Sequence, residues 1–305
     1  MRSYDAPLDM TDAAMPPTPS ASATSISLAY SVDADDAFMF HALRAGAVDT
    51  EGLVFSHRRE HTAALNRLAM DGGADVVAVS LGVYPMLAAN YLLLPHGASV
   101  GRGYGPVVVA SRPLAPAQLN GLRVGIPGAT TTAWMVLRLI APDAIGVEIP
   151  IAPFGRIFEA LAAGEVDAAL LIHEGRLLYS ARGLQLVVDL GVFWLAKTGL
   201  PLPLGVNVIR RALGAPLVAR VSGVLRASIA WALANRPELI ARIAAEDRGD
   251  KALSDHELID HYLNLYANHD TAVMADDARH AIGVLFAEAR AAGLLPDETA
   301  IDWAP

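Results

Sequence analysis

Few residues in this chain are of a type and placement that could do chemistry, and a histidine stands first among them. His173 closes the apolar run Leu170-Leu171-Ile172-His173-Glu174. An imidazole titrates near neutral pH, so one held at the end of a buried strand can take or give a proton there, although the commoner role of such a residue is a structural hydrogen bond. The run Gly128-Ala129-Thr130-Thr131-Thr132-Ala133-Trp134 reads as a turn opening a helix. Hydroxyls and unpaired N–H groups at that position suit a carboxylate or phosphate, and ordinary N-capping by threonine explains them equally well. The segment lacks the Gly-Lys-Ser/Thr ending of a nucleotide loop. Val76-Val77-Ala78-Val79-Ser80-Leu81-Gly82 is a second strand-turn-helix junction. Ser80 there reads as a hydrolase nucleophile, as a cap, or as a further ligand-facing hydroxyl.

Other patterns carry less. His57-Arg58-Arg59-Glu60-His61 matches a zinc-protease spacing but reads as a solvated charged turn, with no third ligand evident. The chain has no cysteine, which excludes disulfides, thiolate metal sites and a cysteine nucleophile. No metal and no organic cofactor are expected. Gly101-Arg102-Gly103-Tyr104-Gly105-Pro106 is not followed by a dinucleotide-binding helix, and reads as a hinge or ligand loop.

These residues need a scaffold, and the chain supplies one. Its 305 residues, 53% hydrophobic and 18% charged, are enough for two domains with sizeable cores. The net charge of −9, without a basic stripe, argues against nucleic acid and anionic membranes as partners. Residues 1–24 read as a disordered tail without the features of a secretory signal, and the apolar runs read as too broken to span a bilayer. A cytoplasmic location is expected.

The order of elements is βαβ-like in two modules. Ile26 to Tyr30, Leu53 to Phe55 and Asp75 to Val79 read as strands, with Asp35 and Asp36 as helix N-caps between the first two. After the glycine-rich loop the pattern restarts with strands at Arg123–Ile126, Val147–Ile149, Ala168–Ile172 and Leu186–Leu190. Leu200 to Gly205 reads as a second crossing segment. Helices are predicted over Ala215–Ala234, Asp255–Ala267 and Ala275–Ala292. The reading is α/β: a first lobe of residues 25–107 and 203–305 interrupted by a second lobe of residues 108–202. A ligand cleft lies between them, where strand C-termini face each other.

Several segments together resemble the 1,4-dihydroxy-6-naphthoate synthases of the futalosine route to menaquinone. They are Asp36-x-Phe38-x-Phe40, Leu65-Asn66, Ser80 with Tyr84, Gly101 to Pro106, Pro127-Gly128 with Thr131-Thr132-Ala133, and Ile172-His173-Glu174. Val188 to Gly191, Thr198 to Gly205 and Tyr266-x-Asn268 complete the set. The resemblance runs from about Ile26 to Ala292. It implies a type II periplasmic-binding-protein-like fold and a cofactor-free carbon–carbon lyase acting on cyclic dehypoxanthine futalosine, a small-molecule anion. It also implies that His173 is the proton acceptor and that Ser80, Thr131 and Thr132 bind substrate, with Gly103 and Gly105 of the glycine loop beside them. The chain departs from the family at several points. The family's Ser-Pro-Cys-Pro-Asn-Asp-Thr is Ser31 to Ala37 here, so aspartates stand at 33 and 35. The family's Thr-Lys-Leu-Ser is Val77 to Ser80, which replaces a lysine by Ala78. Gly155 and Gly175 also differ. A diverged cytoplasmic anion binder or sensor of the same fold is the alternative, and monomer and homodimer are both left open.

Overall fold

The computed structural model describes residues 24–150, 155–246, 250–295 and 299–305. The expectation for residues 1–24 therefore lies, apart from Thr24, outside the described residues.

Two sheets carry the architecture. The first contains β1 (Thr24–Ser31), β2 (Leu53–Glu60), β3 (Val76–Ser80), β4 (Tyr91–Leu93), β5 (Ser99–Gly101) and β11 (Leu202–Arg210). The second contains β6 (Val107–Ala110), β7 (Arg123–Ile126), β8 (Ile145–Glu148), β9 (Ala168–Leu171) and β10 (Gln185–Asp189). The first sheet runs β2-β1-β3-β11-β4, with β5 also on β11, and the second runs β10-β6-β9-β7-β8. In the first, β1 pairs in parallel with both β2 and β3, while β11 returns antiparallel against β3, β4 and β5. In the second, β7 is parallel to β8 and β9, and β6 is antiparallel to β9 and β10.

Sequence and position agree strand by strand. The valines of β3 and the Ala-Ala-Leu-Leu of β9 are buried on both faces, as parallel central strands covered by helices require. Edge strand β2 alternates, keeping Leu53 inside and turning Val54, Ser56 and Arg58 outward. This corrects the reading of His57 to His61 as a turn: His57 through Glu60 belong to an eight-residue strand. They join no cluster of metal-ligating side chains among the described residues. Leu200 to Gly205 is likewise no mere crossing, since β11 spans nine residues at the centre of the first sheet.

The helix Ala215–Ala234 needs a second correction. By length and composition alone its 20 residues could cross a membrane. In the fold, Val218, Val221, Leu225 and Ile229, spaced three and four apart, form a buried stripe against Ile26, Leu28, Leu94 and Ile209. The apolar character belongs to a core helix.

The chain passes between the sheets at 101–107 and again before β11. Gly105 lies so close to Gly191, at the start of helix Leu190–Thr198, that a side chain at either position would collide with the backbone at the other. Arg102 fixes the first crossing to the helical return, with Nε and Nη2 donating to Asp270 at 2.7 and 2.8 Å. Arg176 donates to the Gly105 carbonyl at 2.7 Å and to Asp189 at 3.0 Å, tying the turn after β9 to the same crossing.

Candidate active site

Four strands, a parallel pair from each sheet, end facing one cleft. β1 leads to Asp33, β3 ends at Ser80, β7 leads through Gly128 to Thr131 and Thr132, and β9 leads to His173. All of these except Gly128 line a cavity of about 740 Å³ that includes space open to solvent. Strand C-termini are where open α/β sheets place ligands.

His173 is the most constrained residue of the site. Its backbone is left-handed, with φ of 50°, a region that a residue with a bulky side chain enters at a cost of about 1–3 kcal/mol unless its surroundings hold it there. The holding contacts come from the other lobe. Nδ1 lies 2.8 Å from Asp33 Oδ2 and 3.4 Å from the Tyr262 hydroxyl, and Nε2 lies 3.0 Å from Thr62 Oγ1. The Asp33 carboxylate meets the ring Nδ1 as a close ion pair. The neighbouring Glu174 accepts the Ala34 N–H at 3.2 Å, so two consecutive residues of one lobe clamp the helix start of the other.

The electrostatics follow from burial and crowding. Asp33, Asp35 and Asp36 are all buried. For Asp33, desolvation works against the charge, but the imidazole charge and hydrogen bonding outweigh it and hold the carboxyl well below the usual range. For His173, burial again disfavours the charged form, and the Asp33 carboxylate overrides it, pushing the ring up to about 9. Burial and the Asp33 charge drive Asp36 up to about 7, and push Asp35 well above an ordinary carboxyl. Asp35 is hydrogen-bonded by Ser99 at 2.8 Å and Tyr262 at 3.0 Å, while Asp36 accepts the Ser31 N–H at 2.6 Å. The site is thus an imidazolium–carboxylate pair beside two carboxyls held toward their neutral forms.

Asp35 and Asp36 were expected as helix caps. The N-cap position of helix Ala34–Met39 is Asp33, without a side-chain cap, and Asp35 and Asp36 lie inside the first turn facing the cleft. Sequence reasoning also passed over Thr62 and Tyr262, both of which touch His173. Asp33, Asp35 and His173 bring ligand-type atoms within 4.8 Å of one another, a spacing a divalent ion could bridge; the ion pair and the Ser99 and Tyr262 hydrogen bonds already engage these side chains.

The threonines line the cleft with hydroxyls already committed. Thr131 Oγ1 donates to the Gly128 carbonyl at 2.8 Å and accepts from the Trp134 N–H at 3.3 Å, which is N-capping of helix Thr132–Ile140. Thr132 Oγ1 donates to the Leu204 carbonyl at 2.6 Å and accepts the Gly82 N–H at 2.9 Å, bridging the lobes. Ser80 gives its N–H to Asn66 Oδ1 at 2.9 Å, and Asn66 Nδ2 reaches Thr130 Oγ1 at 3.0 Å. Among the described residues no histidine bonds to Ser80, so no triad forms there. Gly103 and Gly105 do not line the cavity; Pro106 does. The lining contains no lysine and no arginine, in keeping with alanine at position 78.

Comparison with known proteins places this arrangement. A family model described as menaquinone biosynthesis matches residues 26–291. A protein of Thermus thermophilus named 1,4-dihydroxy-6-naphthoate synthase is 39% identical over 267 residues, 88% of this chain and 94% of the relative. One of the same name from Streptomyces coelicolor is 38% identical over 280 residues, 90% of this chain and 96% of the relative. A solved structure of a protein from Archaeoglobus fulgidus is 40% identical with a TM-score of 0.82, covering 89% of this chain and 98% of that one. The alkanesulfonate-binding protein of Xanthomonas axonopodis shares the fold at 15% identity and a TM-score of 0.69, over 92% of this chain and 98% of its own. The two-lobed periplasmic-binding-protein-like fold is therefore established, and the chain belongs to the menaquinone-biosynthesis family that includes the 1,4-dihydroxy-6-naphthoate synthases.

Proposed function

We propose that the chain is a carbon–carbon lyase that converts cyclic dehypoxanthine futalosine to 1,4-dihydroxy-6-naphthoate, with His173 as proton acceptor. The observation that carries the reading is the contact of His173 with Asp33 across the two lobes, at 2.8 Å, inside the shared cleft. A carboxylate on Nδ1 fixes the tautomer that leaves Nε2 free to take a proton once substrate displaces Thr62. Proton removal starts cleavage of the bond to the spiro-linked sugar remnant, the electron pair enters the ring system, and aromatisation supplies driving force. Ser80 and the Thr131–Thr132 helix start contribute to substrate binding in this reading. The threonines act through backbone placement and shape, because their hydroxyls are occupied. Closure of the lobes on the ligand excludes water and aligns the imidazole with its proton.

The test is incubation of the purified protein with cyclic dehypoxanthine futalosine and detection of the naphthoate by mass. Product from the wild type and none from His173→Ala supports the lyase. Undiminished turnover in His173→Ala removes the histidine from the mechanism, and tight binding without product identifies a binding or sensing protein instead.

A further inference from the structure

Asn207 lies in the middle of β11, is 1% exposed and lines the cleft. Neither Nδ2 nor Oδ1 of its side chain has a hydrogen-bond partner among the described residues. A buried polar group left without a partner is destabilising, so an amide orphaned at both ends in the wall of a ligand cleft needs an explanation.

The strand register shows what surrounds it. Asn207 stands directly opposite Ala78, and Gly205 opposite Ser80. Opposed residues of an antiparallel pair share a face. Asn207, Ala78, Gly205 and Ser80 therefore form one patch of the cleft wall, built from small side chains around a single amide. Gly97 closes the far side with φ of 77°, and a Cβ there would collide with Asn207 Nδ2. Small side chains flank the amide in the cleft wall. The lining holds no lysine or arginine, and its imidazolium, His173, is already paired with Asp33, which leaves no unpaired cation for an anionic group at the Asn207 patch.

We infer that Asn207 is a substrate-binding residue that grips a pair of neighbouring, uncharged hydroxyls, one accepting from Nδ2–H and the other donating to Oδ1. An amide offers a donor and an acceptor side by side. A carboxylate satisfies only the first and meets the lone pairs of the second, whereas adjacent hydroxyls satisfy both. Resting on the function proposed above, this assigns the Asn207 recess to the hydroxylated sugar remnant of the substrate and not to its aromatic carboxylate.

The test compares wild type and Asn207→Leu in binding of cyclic dehypoxanthine futalosine and of 1,4-dihydroxy-6-naphthoate, which lacks the remnant. The expected result is at least about a tenfold loss of affinity for the futalosine compound, the loss of roughly 1.4 kcal/mol, with naphthoate affinity within about twofold. The free Asn207→Leu protein should melt no lower than wild type, since no native bond is removed. Equal affinity of both proteins for the futalosine compound, equal weakening toward both ligands, no binding of that compound by the wild type, or a melting temperature lowered by several degrees overturns the inference. If the Leu variant does not fold, Asn207→Asp, which keeps the shape and loses the donor, takes its place in the same comparison. Binding is read apart from turnover, so a wild type that binds the futalosine compound without converting it contradicts the lyase reading alone.

Discussion

His173 Nδ1 and Asp33 Oδ2 meet at 2.8 Å although they stand 140 positions apart in the sequence, and each sits on a different lobe. The contact does two things at once. It holds a strained left-handed residue in place, and it makes the charge of the imidazole depend on a carboxylate that the other lobe supplies. Opening the cleft would separate the pair, so lobe position and histidine charge are coupled.

Replacement of His173 by asparagine isolates its chemistry from its backbone. Asparagine tolerates the left-handed conformation better than most residues, so the φ of 50° at this position is kept. The His173→Asn protein is expected to lose about 10²–10⁴-fold in kcat, the usual scale of general acid–base catalysis. Substrate affinity should change little. Steady-state kinetics with a parallel binding measurement check this, and a loss confined to KM contradicts the assignment.

Thr132 is expected to matter for stability more than its place in the cleft suggests. Its hydroxyl both donates to Leu204 and accepts from Gly82, so Thr132→Val strands a part-buried carbonyl and a buried N–H. The cost should be about 1–3 kcal/mol, roughly 2–5 °C in melting temperature for a chain of this size, with Thr132→Ser close to wild type. Thermal denaturation of both variants decides it. An unchanged melting temperature for Thr132→Val would mean that the hydroxyl serves the ligand alone.

Asp36 gives a pH signature of folding. Its folded pKa, about 7, lies above the unfolded value of 3.8, so the native state holds a proton that the unfolded state releases. For an acid shifted upward, stability falls as pH rises between those two values, and the full cost is present above the folded pKa. Asp36→Asn removes this cost and keeps an acceptor for the Ser31 N–H. Relative to wild type, the variant should gain melting temperature at pH 8 that it lacks at pH 4. A difference that does not change with pH would contradict the shift. The Asp33–His173 pair acts in the opposite sense at both ends of the scale. Asp33, shifted down, stabilises above its ordinary carboxyl range and loses this as pH falls. His173, shifted up, stabilises fully below about 6.5 and loses this as pH rises through about 9.

Much of the scaffold was legible because periodicity is local. The helix Ala215–Ala234 has the bounds its apolar spacing predicts, and helix Thr132–Ile140 opens within the Gly128–Trp134 run that reads as a helix start. The failures have local causes too. Pro203 and Gly205 read as part of a connection, yet β11 accommodates both inside a sheet, with a register shift between them. The charges of His57 to Glu60 read as solvated turn, whereas an edge strand carries charge on its open side. Within the site, His173, Ser80, Thr131 and Thr132 were each marked by their position at a strand end, and all four reach the cleft. Asp33, Thr62, Tyr262 and Asn207 carry no such mark. Their importance comes from partners distant in sequence, or in the case of Asn207 from having none, and neither can be read from spacing. The replacement of a family cysteine by Asp33 was the one available hint, visible only beside the resemblance.

The central claim is that Asp33 sets the charge of a catalytic His173, and the pH dependence of kcat/KM for cyclic dehypoxanthine futalosine tests it most directly. With the imidazole pushed up to about 9, roughly 1% of it is neutral at pH 7. Wild-type kcat/KM should therefore climb about tenfold per pH unit from 7 and level near 9. In Asp33→Asn the rising limb should move down by more than one pH unit, because burial alone lowers an imidazole, and the plateau should fall at least about tenfold as the tautomer is no longer fixed. A rising limb at the same pH in both proteins would contradict the account.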